Sequence, residues 1–256
     1  MPELRSVGAT RYVTPLREGG SLPGLVEADD DGLYVLKFRG AGQGVKALVA
    51  EIIAGELARA LGLAVPEIVL MELDPALGAA EPDPEIQDLI TGSAGLNVAL
   101  DFLPGSLPYT TAAGLQPSPE AAAEIVWLDA LVTNVDRTPR NPNLLVWHGR
   151  LWLIDHGAAL YFHHRDWSPE ADAVRPFAAI ADHVLLPAAG SLPEADARLA
   201  PRLGVEVLRE VVSFVPSGWA EGEAYVDYLA RRLAAPRAFA AEAEQARLAL
   251  QRGAAA

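Results

Sequence analysis

Residues 131–157, LVTNVDRTPRNPNLLVWHGRLWLIDHG, decide the fold of this chain. They contain two short apolar runs rich in β-forming residues, 144–147 and 151–154, joined by a His-Gly-Arg turn. Runs joined by so short a turn pair as an antiparallel hairpin. The residue after the second run then returns beside the residues that precede the first. Asp155 is therefore predicted to lie close to Asn141.

These side chains suit a magnesium-dependent reaction on a phosphate. Asn141 and Asp155 offer the hard oxygen ligands that Mg²⁺ accepts, and Asp136, one loop away, is free to act as a base. The spacing Asp-x-x-x-x-Asn, a hairpin, and a strand that ends in Asp with Gly157 nearby is typical of protein kinases. The alternative is a surface hairpin in which Asn and Asp only form turns.

Composition narrows the class of protein. The chain has 256 residues, 51% of them hydrophobic and 21% charged, and no cysteine, which favours a folded cytoplasmic protein without disulfides. It has no secretory leader pattern and no apolar run long enough to span a membrane, so no membrane partner is expected. The net charge of -14 argues against direct binding of nucleic acid. The same charge would repel ATP, and a kinase therefore needs a lysine at its phosphates.

Lys37 is the candidate for that lysine. The run 33–38 is a predicted strand, and alternation places Lys37 on the same face as Leu33 and Val35, which are expected to face the core. An ammonium there needs an anionic partner. The alternative is an outward-facing lysine that aids solubility.

Two further features of the first hundred residues bear on phosphate binding. Gly19, Gly20 and Ser21 lie between two predicted strands, where backbone amides could approach phosphates, although a plain hairpin turn explains such a run as well. A helix is predicted over 45–61, and it carries two candidate partners for Lys37. Helical periodicity slightly favours Glu56 over Glu51.

The order of predicted elements indicates an α+β fold of two lobes, similar to that of protein kinases. Residues 1–104 are predicted to form a small antiparallel β lobe with one helix, which binds the nucleotide. Residues 105–256 are predicted to form a larger, mainly helical lobe that carries the catalytic loop. A connector rich in turn residues, 106–119, follows the boundary.

The chain resembles the HipA-like serine/threonine kinases, whose fold is related to that of phosphatidylinositol kinases. The resemblance rests on the strand 35–38, the run EIIAGELARALGLAVP at 51–66, and the block 136–155. The chain departs from the toxin members of the family at Thr138, where they have histidine. The resemblance therefore implies phosphoryl transfer rather than toxin activity.

The resemblance also implies roles for the site residues. Lys37, held by Glu51, would contact the phosphates of ATP, and the backbone of Leu100, Asp101 and Phe102 would face adenine. Asn141 and Asp155 would hold Mg²⁺. The implied acceptor is a serine or threonine hydroxyl of a protein, which Asp136 would orient and deprotonate. Two alternatives stay open: a kinase of small molecules such as aminoglycosides or inositides, and an inactive nucleotide-binding partner module.

Overall fold

The computed structural model describes residues 3–16, 22–112 and 114–254 of a mixed α+β chain. Its strands are β1 Ser6–Pro15, β2 Gly24–Ala28, β3 Leu33–Lys37, β4 Ile68–Leu73, β5 Gly95–Asp101, β6 Leu107–Pro108, β7 Leu144–Trp147 and β8 Arg150–Leu153. Its α-helices are α1 Val45–Ala60, α2 Pro84–Gly92, α3 Pro119–Leu131, α4 Pro169–Ala173, α5 Leu192–Leu199, α6 Val205–Ser213, α7 Gly222–Leu233 and α8 Ala238–Ala254. None of these helices is both long and apolar enough to cross a membrane.

The first five strands close into a barrel in the order β1-β2-β3-β5-β4. The predicted all-antiparallel sheet is wrong at one pairing, because β1 runs parallel to β4, with Ser6 opposite Leu70. Strand β1 begins at Ser6. Its first residues, 6–8, pair with β4, while its later residues, from Ala9, pair with β2.

The face of β3 that lines the interior of the barrel is the opposite of the predicted one. Tyr34 and Leu36 are 2% and 0% exposed and belong to the barrel core. The expectation that Leu33 and Val35 face the core is wrong, since both are only partly buried. Their face, which also carries Lys37, is directed out of the barrel, and Val35 and Lys37 line a cavity.

Helix α1 lies in the largest hydrophobic cluster together with α3 and the later helices. It ends at a left-handed glycine, Gly62, with φ of 80°, whose amide donates to the carbonyl of Arg59. α1 therefore packs into the same core as elements beyond residue 104. The division of the chain into 1–104 and 105–256 stays a prediction.

Helix α3 leads the chain into the polar loop and the hairpin. Ser118 caps the helix by accepting a hydrogen bond from the amide of Ala121 at 3.2 Å. Strands β7 and β8 then pair antiparallel, which confirms the predicted hairpin. His148 and Gly149 join them with φ of 48° and 71°, as a tight two-residue hairpin turn requires.

Candidate active site

The mouth of the hairpin is fixed by its backbone. The amide of Ile154 donates to the carbonyl of Asn143 at 3.1 Å. Asn143 and Asp155 are both left-handed, with φ of 48° and 55°. Such a conformation is unfavourable for residues with a side chain, so other contacts must hold it. The hairpin thus brings Asp155 to the polar loop, as its short turn predicts.

Asp136 lies at the centre of the polar loop. Its Oδ2 accepts hydrogen bonds from Nδ2 of Asn141 at 2.7 Å and Nδ2 of Asn143 at 3.3 Å. Its amide donates to Oδ1 of Asn134 at 3.1 Å. Burial, together with the charge of Asp155, raises the pKa of Asp136 above its ordinary value, although the two amides oppose the shift. These contacts leave a half-buried carboxylate of increased basicity.

Lys37 crosses from β3 to the hairpin. Its Nζ donates to Oδ1 of Asp155 at 2.6 Å, and its side chain is only 11% exposed. Burial alone would lower the pKa of Lys37, but the charges of Asp155, Glu51 and Asp136 outweigh it and raise the pKa. The direct partner of Lys37 is therefore Asp155, while Glu51 acts on it as a nearby charge.

Glu51 and Glu56 have different surroundings. Glu51 is 1% exposed, and its Oε1 lies 3.3 Å from Nδ1 of His156. Burial opposes its ionisation, but Lys37 and His156 outweigh burial and hold the pKa of Glu51 below its ordinary value. Glu56, which periodicity favoured, pairs with Arg59 at 3.3 Å. The structure places Glu51 beside Lys37.

His156 was not singled out from the sequence as a site residue. It is 0% exposed, and its contact with Glu51 links the segment that follows β8 to α1. Its position directly after Asp155 was the available signal, although a histidine there is equally compatible with an ordinary loop.

Two cavities meet at the ion pair of Lys37 and Asp155. The larger encloses about 590 Å³ and the smaller about 230 Å³. Both are lined by Lys37, Asn141 and Asp155, whereas Asp136 and Glu51 line only the smaller one. The polar groups thus form the boundary between a roomy, mostly apolar space and a narrow one that holds the base.

The predicted adenine-facing segment lies on the larger cavity, where Leu100, Asp101 and Phe102 are all lining residues. Two of its amides already have acceptors: that of Asp101 donates to the carbonyl of Glu67, and that of Phe102 to the carbonyl of Leu33, both at 2.9 Å. These two donors are therefore not free for a base. Gly19, Gly20 and Ser21, the predicted phosphate loop, lie outside the described residues.

The donor set at the boundary fits a magnesium ion. Oδ1 of Asp155 accepts the hydrogen bond from Lys37, and Oδ2 of Asp155 is not part of that contact. Asn141 donates through its nitrogen to Asp136, so its carbonyl oxygen is directed elsewhere. A carboxylate and a carboxamide oxygen with substrate phosphates and water complete the kind of shell that Mg²⁺ adopts. No cluster of three or more His, Asp or Glu residues suited to a metal occurs among the described residues.

Comparison with known proteins identifies the family of the chain. A family model described as HipA-like kinase matches residues 10–230. The chain belongs to the HipA-like kinase family, and the resemblance seen in its sequence is confirmed. No curated protein matches the sequence significantly.

Several solved kinase structures have a similar fold. The crystal structure of the Helicobacter pylori proinflammatory kinase CtkA matches with a TM-score of 0.58 at 12% identity, over 98% of this chain and 99% of that one. The Golgi casein kinase matches with a TM-score of 0.54 at 13% identity, over 96% and 74%. Its structure with Mn/ADP bound matches with a TM-score of 0.52 at 14% identity, over 95% and 73%. At these identities the likeness establishes the fold, and the family establishes a kinase-type protein.

Proposed function

We propose that the protein transfers the γ-phosphate of ATP to a hydroxyl group, with Mg²⁺ as cofactor. The observation that carries this is the shared wall of Lys37, Asn141 and Asp155 between the two cavities, with Asp136 on the far side. In-line transfer needs a nucleotide on one side of the phosphoryl group and a nucleophile on the other. The larger cavity has the size of a nucleotide site.

Each side chain has a role in this scheme. Lys37 neutralises phosphate charge, and Asn141 and Asp155 hold the metal, which when bound offsets the charge of the phosphates. Asp136 accepts the proton of the attacking hydroxyl, a task that its raised pKa favours. After Asp155, Glu51 adds a further negative charge that favours the charged form of Lys37. The binding of Mn and ADP by a kinase of the same fold supports a nucleotide and a divalent metal.

The acceptor follows from the family, and we propose a serine or threonine hydroxyl of a protein. The smaller cavity, at about 230 Å³, admits a short hydroxyl-bearing side chain and leaves the rest of an acceptor outside. The site chemistry alone would serve a sugar or inositol hydroxyl as well. The acceptor must therefore be identified by experiment.

Calorimetry of ATP binding with and without Mg²⁺ tests the metal, with Asp155→Asn as the variant. We expect binding in the parent to depend on Mg²⁺ and the variant to lose that dependence. Equal affinity with and without the metal would exclude Asp155 as a ligand. Tight binding without turnover on any acceptor would instead identify an inactive nucleotide-binding module.

Labelled ATP incubated with cell lysate, then separated by size, tests the acceptor. We expect label in protein for the parent and none for Asp136→Asn. Label confined to small molecules, and lost in the same variant, would replace the protein acceptor with a small-molecule one.

A further inference from the structure

Arg137, the residue after the proposed base, is buried beneath the site. Its side chain is 0% exposed, although arginine is rarely buried without partners. Its Nε donates to Oδ2 of Asp129, on α3. Its Nη1 donates to the carbonyl of Asn143, and a longer contact of 3.4 Å reaches the carbonyl of Ile154. One guanidinium therefore joins α3 to the residue before β7 and the residue after β8, at the hairpin mouth.

The anchor for this guanidinium is itself held from two sides. Asp129 is 0% exposed and also accepts from Asn134 at 3.1 Å and contacts Nε2 of His183 at 2.9 Å. Nδ1 of His183 accepts the amide of Leu185 at 3.0 Å, which leaves Nε2 as the protonated nitrogen that donates to Asp129. The carbonyl of Arg137 accepts a hydrogen bond from the amide of Val184, the residue after His183, at 3.0 Å.

The charges in this cluster are stable. Burial opposes ionisation of Asp129, but the charge of Arg137 and the hydrogen bond from His183 outweigh it and hold the pKa of Asp129 well below its ordinary value. Burial lowers the pKa of His183 and keeps it neutral. The cluster is thus one buried ion pair with a neutral donor, rather than a group that changes charge near neutral pH.

The two carbonyls that Arg137 binds belong to the strained part of the site. Asn143 is left-handed, and the carbonyl of Ile154 begins the peptide bond to left-handed Asp155. Asp136 precedes Arg137 directly, so the same residue fixes the base on one side and the backbone of the proposed metal ligand on the other. A lysine could reach one of these acceptors but cannot span three with a rigid planar group.

We propose that Arg137 is a positioning residue that sets the distance between the base Asp136 and the metal ligand Asp155. The proposal rests on the phosphotransferase function proposed above. Arg137 touches neither cavity and acts through Asp129 and the hairpin backbone.

Arg137→Lys tests the proposal, with Arg232→Lys as the matched control. Arg232 is also buried, at 3% exposed, and it also donates to backbone carbonyls, those of Ala130, Leu131, Ala173 and Arg175, but it makes no contact with the hairpin. We expect Arg137→Lys to lower kcat by about tenfold or more, because misplaced reacting groups lose that much rate, with KM for ATP changed less than about twofold. The Mg²⁺ concentration for half-maximal rate should rise. Arg232→Lys should change neither, and equal changes in both variants would reduce Arg137 to a purely structural residue.

Amide hydrogen exchange supplies a readout that needs no activity. The amide of Ile154, which donates to Asn143, should exchange faster in Arg137→Lys than in Arg232→Lys at equal global stability. If the parent neither binds nor turns over ATP, the proposed function fails, yet the exchange result still decides the role of Arg137. Unchanged protection of Ile154 would overturn the proposal.

If Arg137→Lys does not fold, His183→Ala takes its place. This variant keeps the ion pair of Arg137 and Asp129 and removes the donor that steadies Asp129, together with the acceptor for the amide of Leu185. We expect the same direction of change in kcat and in Ile154 exchange, to a smaller extent. No change in either measurement would count against the proposal.

Discussion

Lys37 is hydrogen-bonded to Asp155 at 2.6 Å, so the ammonium expected at the phosphates neutralises the carboxylate proposed to hold the metal. A cation at one oxygen of the Asp155 carboxylate weakens the attraction between that carboxylate and a second cation. Lys37 and Mg²⁺ are therefore partial competitors when no nucleotide is present. Phosphate oxygens would remove the competition by offering Lys37 other partners.

Lys37→Met should have opposite effects on metal and nucleotide. We expect the affinity for Mg²⁺ alone to increase by about tenfold, because a positive charge beside Asp155 is removed. ATP binding in the presence of Mg²⁺ should weaken, and turnover should fall. Calorimetry with MgCl₂ alone, and then with ATP, measures both effects.

Lys46→Met is the matched control, since Lys46 is the other lysine of the chain and donates to the carbonyl of His163. It should leave both affinities unchanged. Weaker Mg²⁺ binding in Lys37→Met would contradict competition between the lysine and the metal.

Glu51→Gln and Glu56→Gln should differ sharply. Glu51 is buried beside Lys37 and His156, so removal of its charge should lower kcat/KM by about tenfold or more. Glu56 pairs with Arg59 and lines neither cavity, so Glu56→Gln should stay within about twofold of the parent. Steady-state kinetics on folded variants distinguishes them. A larger loss in Glu56→Gln would show that the helical periodicity had identified the functional glutamate.

Asn143 allows a test of the strained hairpin mouth. Asn143→Gly and Asn143→Ala both remove the hydrogen bond to Asp136, but only glycine adopts a φ of 48° without cost. We expect the alanine variant to be less stable than the glycine variant by about 1 kcal/mol, which thermal or urea unfolding measures. Equal stabilities would mean that the backbone relaxes when the side chain is lost.

The stability of the protein should decline on mild acidification because of His163. Its Nδ1 lies 3.0 Å from the hydroxyl of Tyr225, and burial, with the charges of His164 and Lys46, lowers the pKa of His163 to about 3. The unfolded chain, with an ordinary histidine pKa of about 6.5, binds a proton between these values that the folded chain does not. The free energy of unfolding should therefore fall as the pH drops from about 6.5 towards 3.

Urea unfolding of the parent and His163→Gln at about pH 7.5 and 5 checks this expectation. The variant should lose less stability than the parent between the two values. An equal loss would assign the acid sensitivity to other groups.

The local parts of the site could be predicted from the sequence, because they depend on short separations. The turn at His148 and Gly149 determined the hairpin, and the hairpin placed Asp155 beside the polar loop. The choice between Glu51 and Glu56 could not be made from periodicity. Helix α1 is buried on almost every side from Leu48 onwards, so it has no single apolar stripe against which to place a residue.

Other features depend on contacts that leave no local pattern. The cluster of Arg137 and Asp129 is completed by His183, 54 residues from Asp129, and the sequence gives no sign that its charged members are buried. The face of β3 was also predicted wrongly. Aromatic Tyr34 and Leu36 fill the barrel, while Val35 lines a cavity, and both faces of such a strand are apolar in sequence.

The parallel pairing of β1 with β4 has a consequence for how the chain acquires its structure. Ser6 cannot find Leu70 until α1 and the segment after it have been synthesised, so the barrel stays an open sheet in the nascent chain. Until then, the edge of β1 that pairs with β4 has no partner and can recruit other chains. Pairing with β4 covers that edge, and loss of the first few residues of β1 would leave the facing edge of β4 unpaired and open to aggregation.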